Sequence, residues 1–254
     1  MYSKLFCGTF QPKTRNANER DVDDAVKIYK IELFQFEKTI IYLSDFLSPE
    51  ERIRANGYHF EKTKNQFIIC RILLKFLLAE HLKININLIS IELDSLKKPF
   101  LASHPFVFFN VSHAGDYALI AISKNSIGID IEFIDKKFVY NDILAHVFNR
   151  TEIDEIVTSN SEHLYFYRFW TRKEAIVKAI GKGIDDSLSE ITVTDGSHSL
   201  PSTLIGGFKT INTFSFKVNA DYIGAIAFTG ELNAIDKIKL YPLPSPDELK
   251  TLLG

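Results

Sequence analysis

The sequence predicts an α+β fold, with helices and strands grouped in blocks rather than alternating. Three observations carry this. An apolar run with helical spacing extends from Lys62 to Lys83. Four strand-like runs follow with no helix between them: LISIEL, FVFFNVS, YALIAIS and IGIDIEF. A mostly helical block from about Val139 to Ile180 then precedes a second group of strand-like runs. A regular β-α alternation would imply a parallel sheet, and this order does not.

Taken in order, the first thirty residues are polar and mixed, with no clear period until IYKIELFQFE, which alternates like a half-buried strand. At Ser48-Pro49-Glu50-Glu51 a helix is expected to start, since Ser caps, Pro suits the first turn and the acids complement the dipole. In the helix from Lys62 to Lys83, Lys64, Arg71 and Lys75 recur at spacings of seven and four and share one face. That stripe either meets phosphates or solvates one side of a buried helix. The strand runs are rich in β-branched and aromatic residues and are bounded by Gly, Asp, Asn or Lys. Beyond Ile180 come SEITV, TFSFKV, YIGAIAF and KIKLYPL, then a helix over SPDELKTLL. A seam is expected near Lys124-Asn125-Ser126, with no Pro- or Gly-rich linker, so any two halves must pack intimately.

Composition narrows the function classes. With 254 residues, 46% of them hydrophobic, the chain can bury a sizeable core. Its 30 basic and 32 acidic residues nearly cancel, so it lacks the global basic excess of a typical nucleic-acid binder. Any anion site must be local. Cys7 and Cys70 lie far apart and do not form a disulfide framework. The first residues lack an apolar core of signal-peptide length, and the longest apolar runs are interrupted by Arg71 and Lys75. A cytoplasmic protein without membrane spans is expected.

Three stretches carry residue types suited to chemistry. In FNVSHAGD a strand ends in a polar turn that projects Ser112 and His113, while Gly115 permits close backbone approach. No G-x-S-x-G elbow surrounds the serine, and neighbouring residues of a strand point to opposite faces, so a hydrolase pair is not indicated. In IGIDIE the period of two puts Asp130 and Glu132 on one face. Either a solvated edge tolerates these like charges, or a hard divalent cation holds them together. In FWTRKEAIVKAIGKG a helix runs to a Gly-Lys-Gly stop and carries Trp170, Glu174 and Lys178 on one face. Glu174 and Lys178 also have the spacing of an ordinary helix ion pair.

Read together, FNVSHAGDYALIAIS, IGIDIE and FYRFWTRKEAIVKAIGKGI resemble the signature of the surfactin-type 4′-phosphopantetheinyl transferases, monomeric relatives of the acyl-carrier-protein synthases. The resemblance extends to LSPEERIRANGYHFEKTKNQFIICRILLKFLL and KKPFL, covering roughly residues 45 to 190. It implies a pseudo-dimer of two similar α+β halves, 1–124 and 125–254, with coenzyme A and magnesium in the cleft between them. It further implies that Asp130, Glu132 and Glu174 bind the metal, and that Arg54, Lys98 and His113, assisted by Ser112, contact the phosphates of coenzyme A. Glu174 would take the proton from a serine of an acyl or peptidyl carrier protein, directly or through a metal-bound water, and Lys178 would stabilise developing charge. The implied partners are that carrier protein and coenzyme A, with no nucleic acid or membrane. One departure stands out: Lys97 occupies the place where the family commonly has Gly before Lys-Pro.

Overall fold

Alternating burial along the strands builds two five-stranded sheets that share a core. The computed structural model describes residues 1–16, 25–183, 186–230, 235 and 237–254. The chain begins with β1 (Tyr2–Thr9), β2 (Lys13–Thr14) and β3 (Val26–Glu32), then a 3₁₀ segment over Leu33–Thr39. Helices α1 (Ile40–Ser44), α2 (Pro49–Asn56) and α3 (Glu61–Leu82) follow. Next come β4 (Glu92–Leu93), β5 (Pro99–Phe100), β6 (Phe108–Ala114), β7 (Tyr117–Ser123) and β8 (Ile127–Phe133). The later part holds α4 (Asn141–Val147), α5 (Arg150–Thr158), α6 (Glu162–Ile180), β9 (Gly196–Pro201), β10 (Thr210–Lys217), β11 (Tyr222–Thr229), β12 (Ile238–Tyr241) and α7 (Pro246–Leu253).

The first sheet has the order β2-β12-β3-β7-β6 and the second β8-β11-β10-β1-β9. Residues from both sheets, among them Ile28, Leu119, Ile129, Phe214 and Ile226, form one apolar cluster between them. On the outer face of the first sheet, Ile31, Ile120 and Ile122 pack against Ile69, Leu73 and Phe76 of α3. On the outer face of the second, Ile211, Ala225 and Ala227 pack against Phe169, Ile176 and Ala179 of α6. The layers are helix, sheet, sheet, helix, as the expected α+β class requires. The ends of the chain cross over. Strand β1 runs parallel to β10 in the second sheet, and β12 runs parallel to β3 in the first.

The capping signals read from the sequence are realised. Ser48 and Glu51 form a reciprocal capping box on α2, with Pro49 in the first turn, and Ser245 and Glu248 repeat it on α7. Helix α6 ends at Gly181 in the left-handed region, φ 73°.

Three stretches differ from expectation. Residues 2–9 form a strand within the stretch expected to lack a period. Ser3, Leu5 and Cys7 are buried, Leu5 and Cys7 against the α6 cluster, while Tyr2 and Phe6 point the other way, Phe6 onto the cluster between the sheets, so apolar residues on both faces mask the alternation. LISIEL yields only a two-residue strand after a 3₁₀ turn at Ile86–Leu88. SEITV is not a strand, because buried side chains satisfy its backbone instead of a neighbouring chain. Lys173 Nζ donates to the carbonyls of Leu188 and Ile191 at 3.0 and 2.6 Å, Arg172 donates to Val193 O, and Val193 N donates to Glu152. The same two cations fix α6. Lys173 also pairs with buried Glu152 at 3.0 Å, and Arg172 reaches Gly8 O of β1 and Ser215 Oγ of β10.

Candidate active site

The site is built where β6, the edge of the first sheet, meets β8, the edge of the second, under α6. Ile127, Ile129 and Ile131 of β8 enter the shared core, so Gly128, Asp130 and Glu132 face α6. Gly128 lets the helix lie directly on the strand. A Cβ there would collide with the backbone of Ala175, Lys178 and Ala179. Asn110 of β6 closes the junction by accepting the Ile129 N–H at 2.8 Å.

Close approach brings three of the residues read from the sequence into one hydrogen-bonded cluster. Ser112 Oγ donates to Asp130 Oδ1 at 2.8 Å, and Lys178 Nζ donates to Asp130 Oδ1 at 2.6 Å and to Ser112 Oγ at 3.1 Å. Asp130 is 3% exposed, and its second oxygen, Oδ2, is buried without a hydrogen-bond partner. Glu132 accepts from Trp170 Nε1 at 3.3 Å, so Trp170 and Lys178 of one α6 face reach the two acids of one β8 face.

Electrostatics ties Glu174 to the same group. Burial, with a further push from Asp130, raises the Glu132 carboxyl to about 7. Burial also raises Glu174, opposed by Lys178 and reinforced by Asp130. Yet among the described residues no three His, Cys, Asp or Glu side chains are gathered as a ready cation cage. Asp130 is engaged by Lys178 and Ser112, and Glu132 by Trp170.

The four residues linked with phosphates divide between three places. Ser112 belongs to the Asp130–Lys178 cluster, whereas His113, its neighbour on β6, lies on the opposite face. His113 and Arg54 line one cavity of about 350 Å³, together with Tyr58, Phe67 and Arg71. Burial lowers the His113 pKa first, and the Lys178 charge lowers it further. Lys98 lies elsewhere: it donates to Ala179 O at 3.0 Å beside Ser126 Oγ, closing the last turn of α6, and burial lowers its pKa. It lines a smaller cavity of about 270 Å³ with Lys97, Glu174, Lys178 and Lys182. A larger cavity of about 820 Å³, lined by Lys136, Glu162, His163 and Asp221 among others, holds none of the sequence-derived candidates. Phe67, Tyr58 and Asn110 escaped sequence reading. The one available signal was the four-residue spacing of Phe67 and Arg71 on α3.

Lys97 sits in the left-handed region at φ 64°, inside a tight turn where Asp94 Oδ1 accepts the backbone N–H groups of Leu96 and Lys98. That conformation explains why glycine suits the position. Lys97→Gly is expected to relieve up to about 1 kcal/mol of backbone strain. Thermal unfolding should show it as a midpoint rise of roughly 2–4 °C; a lower midpoint would count against the strain.

The chain thus packs two sheets together, with a carboxylate–lysine cluster at their junction and cavities lined by Arg and Lys beside it. Comparison with known proteins is more specific. Residues 126–227 match the model of the 4′-phosphopantetheinyl transferase superfamily, and residues 36–125 match that of a 4′-phosphopantetheinyl transferase N-terminal domain. The chain is 30% identical over 174 residues to the 4′-phosphopantetheinyl transferase psf-1 of Bacillus pumilus, covering 66% of this chain and 74% of that one. It is 29% identical over 191 residues to the 4′-phosphopantetheinyl transferase HetI of a Nostoc species, covering 73% and 79%. It is 30% identical over 161 residues to the L-aminoadipate-semialdehyde dehydrogenase-phosphopantetheinyl transferase of Xenopus laevis, covering 57% and 53%. The chain therefore belongs to the 4′-phosphopantetheinyl transferase superfamily, a family of transferases. Among its described residues no helix is long and apolar enough to cross a membrane.

Proposed function

We propose that this protein moves the 4′-phosphopantetheine arm of coenzyme A onto a serine of an apo acyl or peptidyl carrier protein, releasing 3′,5′-ADP. The observation that carries the reading is the Ser112–Asp130–Lys178 cluster, formed by residues of all three signature stretches across the junction of two sheets. We further propose that the working halves are 1–124 and 125–254, exchanging their terminal strands, with the site in the cleft between them and the protein acting as a cytoplasmic monomer.

Although Asp130, Glu132 and Glu174 are not gathered as a ready cage among the described residues, their chemistry suits a magnesium ion. Asp130 Oδ2 is a buried oxygen lacking a partner, and Glu132 and Glu174 are acids whose ionisation burial and one another's neighbourhood oppose. Asp130, Glu132 and Glu174 would hold the ion. When bound, it supplies positive charge that neutralises the pyrophosphate of coenzyme A.

The remaining chemistry lies with the side chains. The carrier serine oxygen forms a bond to the phosphorus bearing pantetheine, the bond from that phosphorus to the bridging oxygen of 3′,5′-ADP breaks, and the serine proton passes to a base. Glu174 suits that task because burial raises its affinity for a proton. Lys178, held by Asp130 and Ser112, keeps a fixed positive charge at the junction for the developing negative charge. Arg54 and Lys98 supply cations for the phosphates, and His113, which burial and Lys178 hold back from charging, offers them a neutral ring N–H. Trp170 packs the site and orients Glu132.

The test is intact-mass spectrometry of apo carrier proteins incubated with the protein, coenzyme A and magnesium, with a chelator control. A metal-dependent gain of one phosphopantetheine is expected. No gain on any carrier, with coenzyme A binding intact, would overturn the reading in favour of a binding module.

The raised Glu132 pKa gives a separate prediction for the metal-free protein. Folded Glu132 keeps its proton to about 7, whereas unfolding returns it to 4.5, so its contribution to stability is fully present below 4.5 and is lost as pH rises through 7. Glu174 acts in the same direction. Magnesium should therefore raise the unfolding midpoint more at pH 8 than at pH 5.5. Equal gains at both values would remove Glu132 from the ligand set.

A further inference from the structure

Helix α3 divides the roles of its basic stripe. Lys75 Nζ is spent internally, donating to Phe46 O at 2.8 Å and approaching Glu51 at 3.4 Å. Arg71, one turn earlier, lines the cavity that also holds Arg54 and His113. Its guanidinium carbon lies 5.4 Å from the centre of the Phe67 ring, and that of Arg54 lies 5.1 Å from the same ring. One aromatic side chain thus locates two guanidinium groups.

These charges are not balanced. The ion pair of Arg71 with Glu51 is 3.5 Å long, beyond the usual range of a charge-assisted hydrogen bond. Glu51 is shared, because its other oxygen accepts the Ser48 N–H in the capping box and faces Lys75. Arg71 has a side chain only 10% exposed, and the Arg54 charge opposes its own. Two guanidinium groups and an imidazole therefore surround a small cavity with one shared carboxylate behind them. A doubly charged anion accepting two donor forks would relieve the repulsion. Tyr58, Phe67 and Val111 add flat or apolar wall suited to a nucleobase.

We propose that Arg71 is a specificity residue that, with Arg54, grips the 3′-phosphate monoester at the nucleotide end of coenzyme A. This rests on the reading of coenzyme A as the donor. It assigns the two members of the α3 stripe opposite duties: Arg71 faces the ligand, and Lys75 holds the α2 start and the α1–α2 connection in place.

Isothermal titration of coenzyme A and 3′-dephospho-coenzyme A against the wild type, Arg71→Ala and Arg71→Lys separates the possibilities. Arg71→Ala should weaken coenzyme A about 10- to 100-fold, as loss of charged hydrogen bonds implies, and change 3′-dephospho-coenzyme A less than about twofold. Arg71→Lys should restore part of the loss, since an ammonium lacks the fork. Unliganded melting curves establish folding; if Arg71→Ala does not fold, the affinity ratio of the two ligands in Arg71→Lys carries the same test. An unchanged ratio would overturn the inference. Wild-type protein that transfers the arm while the ratio stays unchanged in the variants removes only the role of Arg71. Wild-type protein that binds neither ligand removes the donor assignment and this inference together.

Discussion

Asp130→Asn is expected to lower phosphopantetheine transfer by at least about 10²–10³-fold while leaving the fold intact, the scale of losing one preorganised electrostatic group. The substitution preserves volume and can still accept from Ser112, so packing at the β6–β8 junction should persist. Two things are lost. Lys178, whose Nζ lies 2.6 Å from Oδ1, would have only a neutral partner, and the orphaned Oδ2 would become an amide or lose its charge. The amide cannot serve a hard cation as a carboxylate does. Steady-state transfer at saturating magnesium, with the magnesium-induced rise in unfolding midpoint measured in parallel, checks both consequences. Activity within tenfold of wild type, with the midpoint rise intact, would exclude Asp130 from the site.

Gly128→Ala is expected to be nearly as damaging, though the residue touches no substrate. Its added methyl would meet the backbone of α6 at Ala175, Lys178 and Ala179, so the helix must withdraw rather than a side chain give way. Helix α6 cannot withdraw freely, because Arg172 and Lys173 anchor its other face to β1, β10 and the 188–193 segment. Overpacking of this kind costs about 1–3 kcal/mol. An ångström of displacement at a reacting group costs about 10² in rate. A reduced kcat with coenzyme A affinity near wild type would show that Gly128 positions Glu174 and Lys178 against Asp130. Unchanged kcat would show that the site tolerates a looser junction.

Much of the site was legible because it is local. The period of two in IGIDIE put Asp130 and Glu132 on one face, and the four-residue steps from Trp170 to Glu174 to Lys178 put those on one face of α6; the folded chain sets the two faces against each other. What was not legible is set by distant partners. Lys98, besides the phosphate role proposed for it, caps α6 through Ala179 O, an interaction 81 residues apart in sequence. SEITV has the composition of a strand, but Lys173, Arg172 and Glu152 saturate its backbone, and no local pattern announces that. Residues 2–9 were unreadable partly for the same reason, since their neighbours in the sheet lie two hundred residues later, and partly because both faces of the strand are covered, Leu5 and Cys7 by the α6 cluster and Phe6 by the cluster between the sheets.

The exchanged terminal strands have a consequence for how the chain comes to be folded. Strand β1 is made long before β9 and β10, yet it lies between them, so its pairing with Thr210–Lys217 must wait until those later residues exist. Throughout synthesis its backbone edges stay open, and the second sheet cannot close early. The first sheet waits in the same way for β12 between β2 and β3. Neither layer can mature alone, so assembly should be concerted and slow for the chain's size. An incomplete chain ending before β10 should be a substrate for chaperones rather than a stable half.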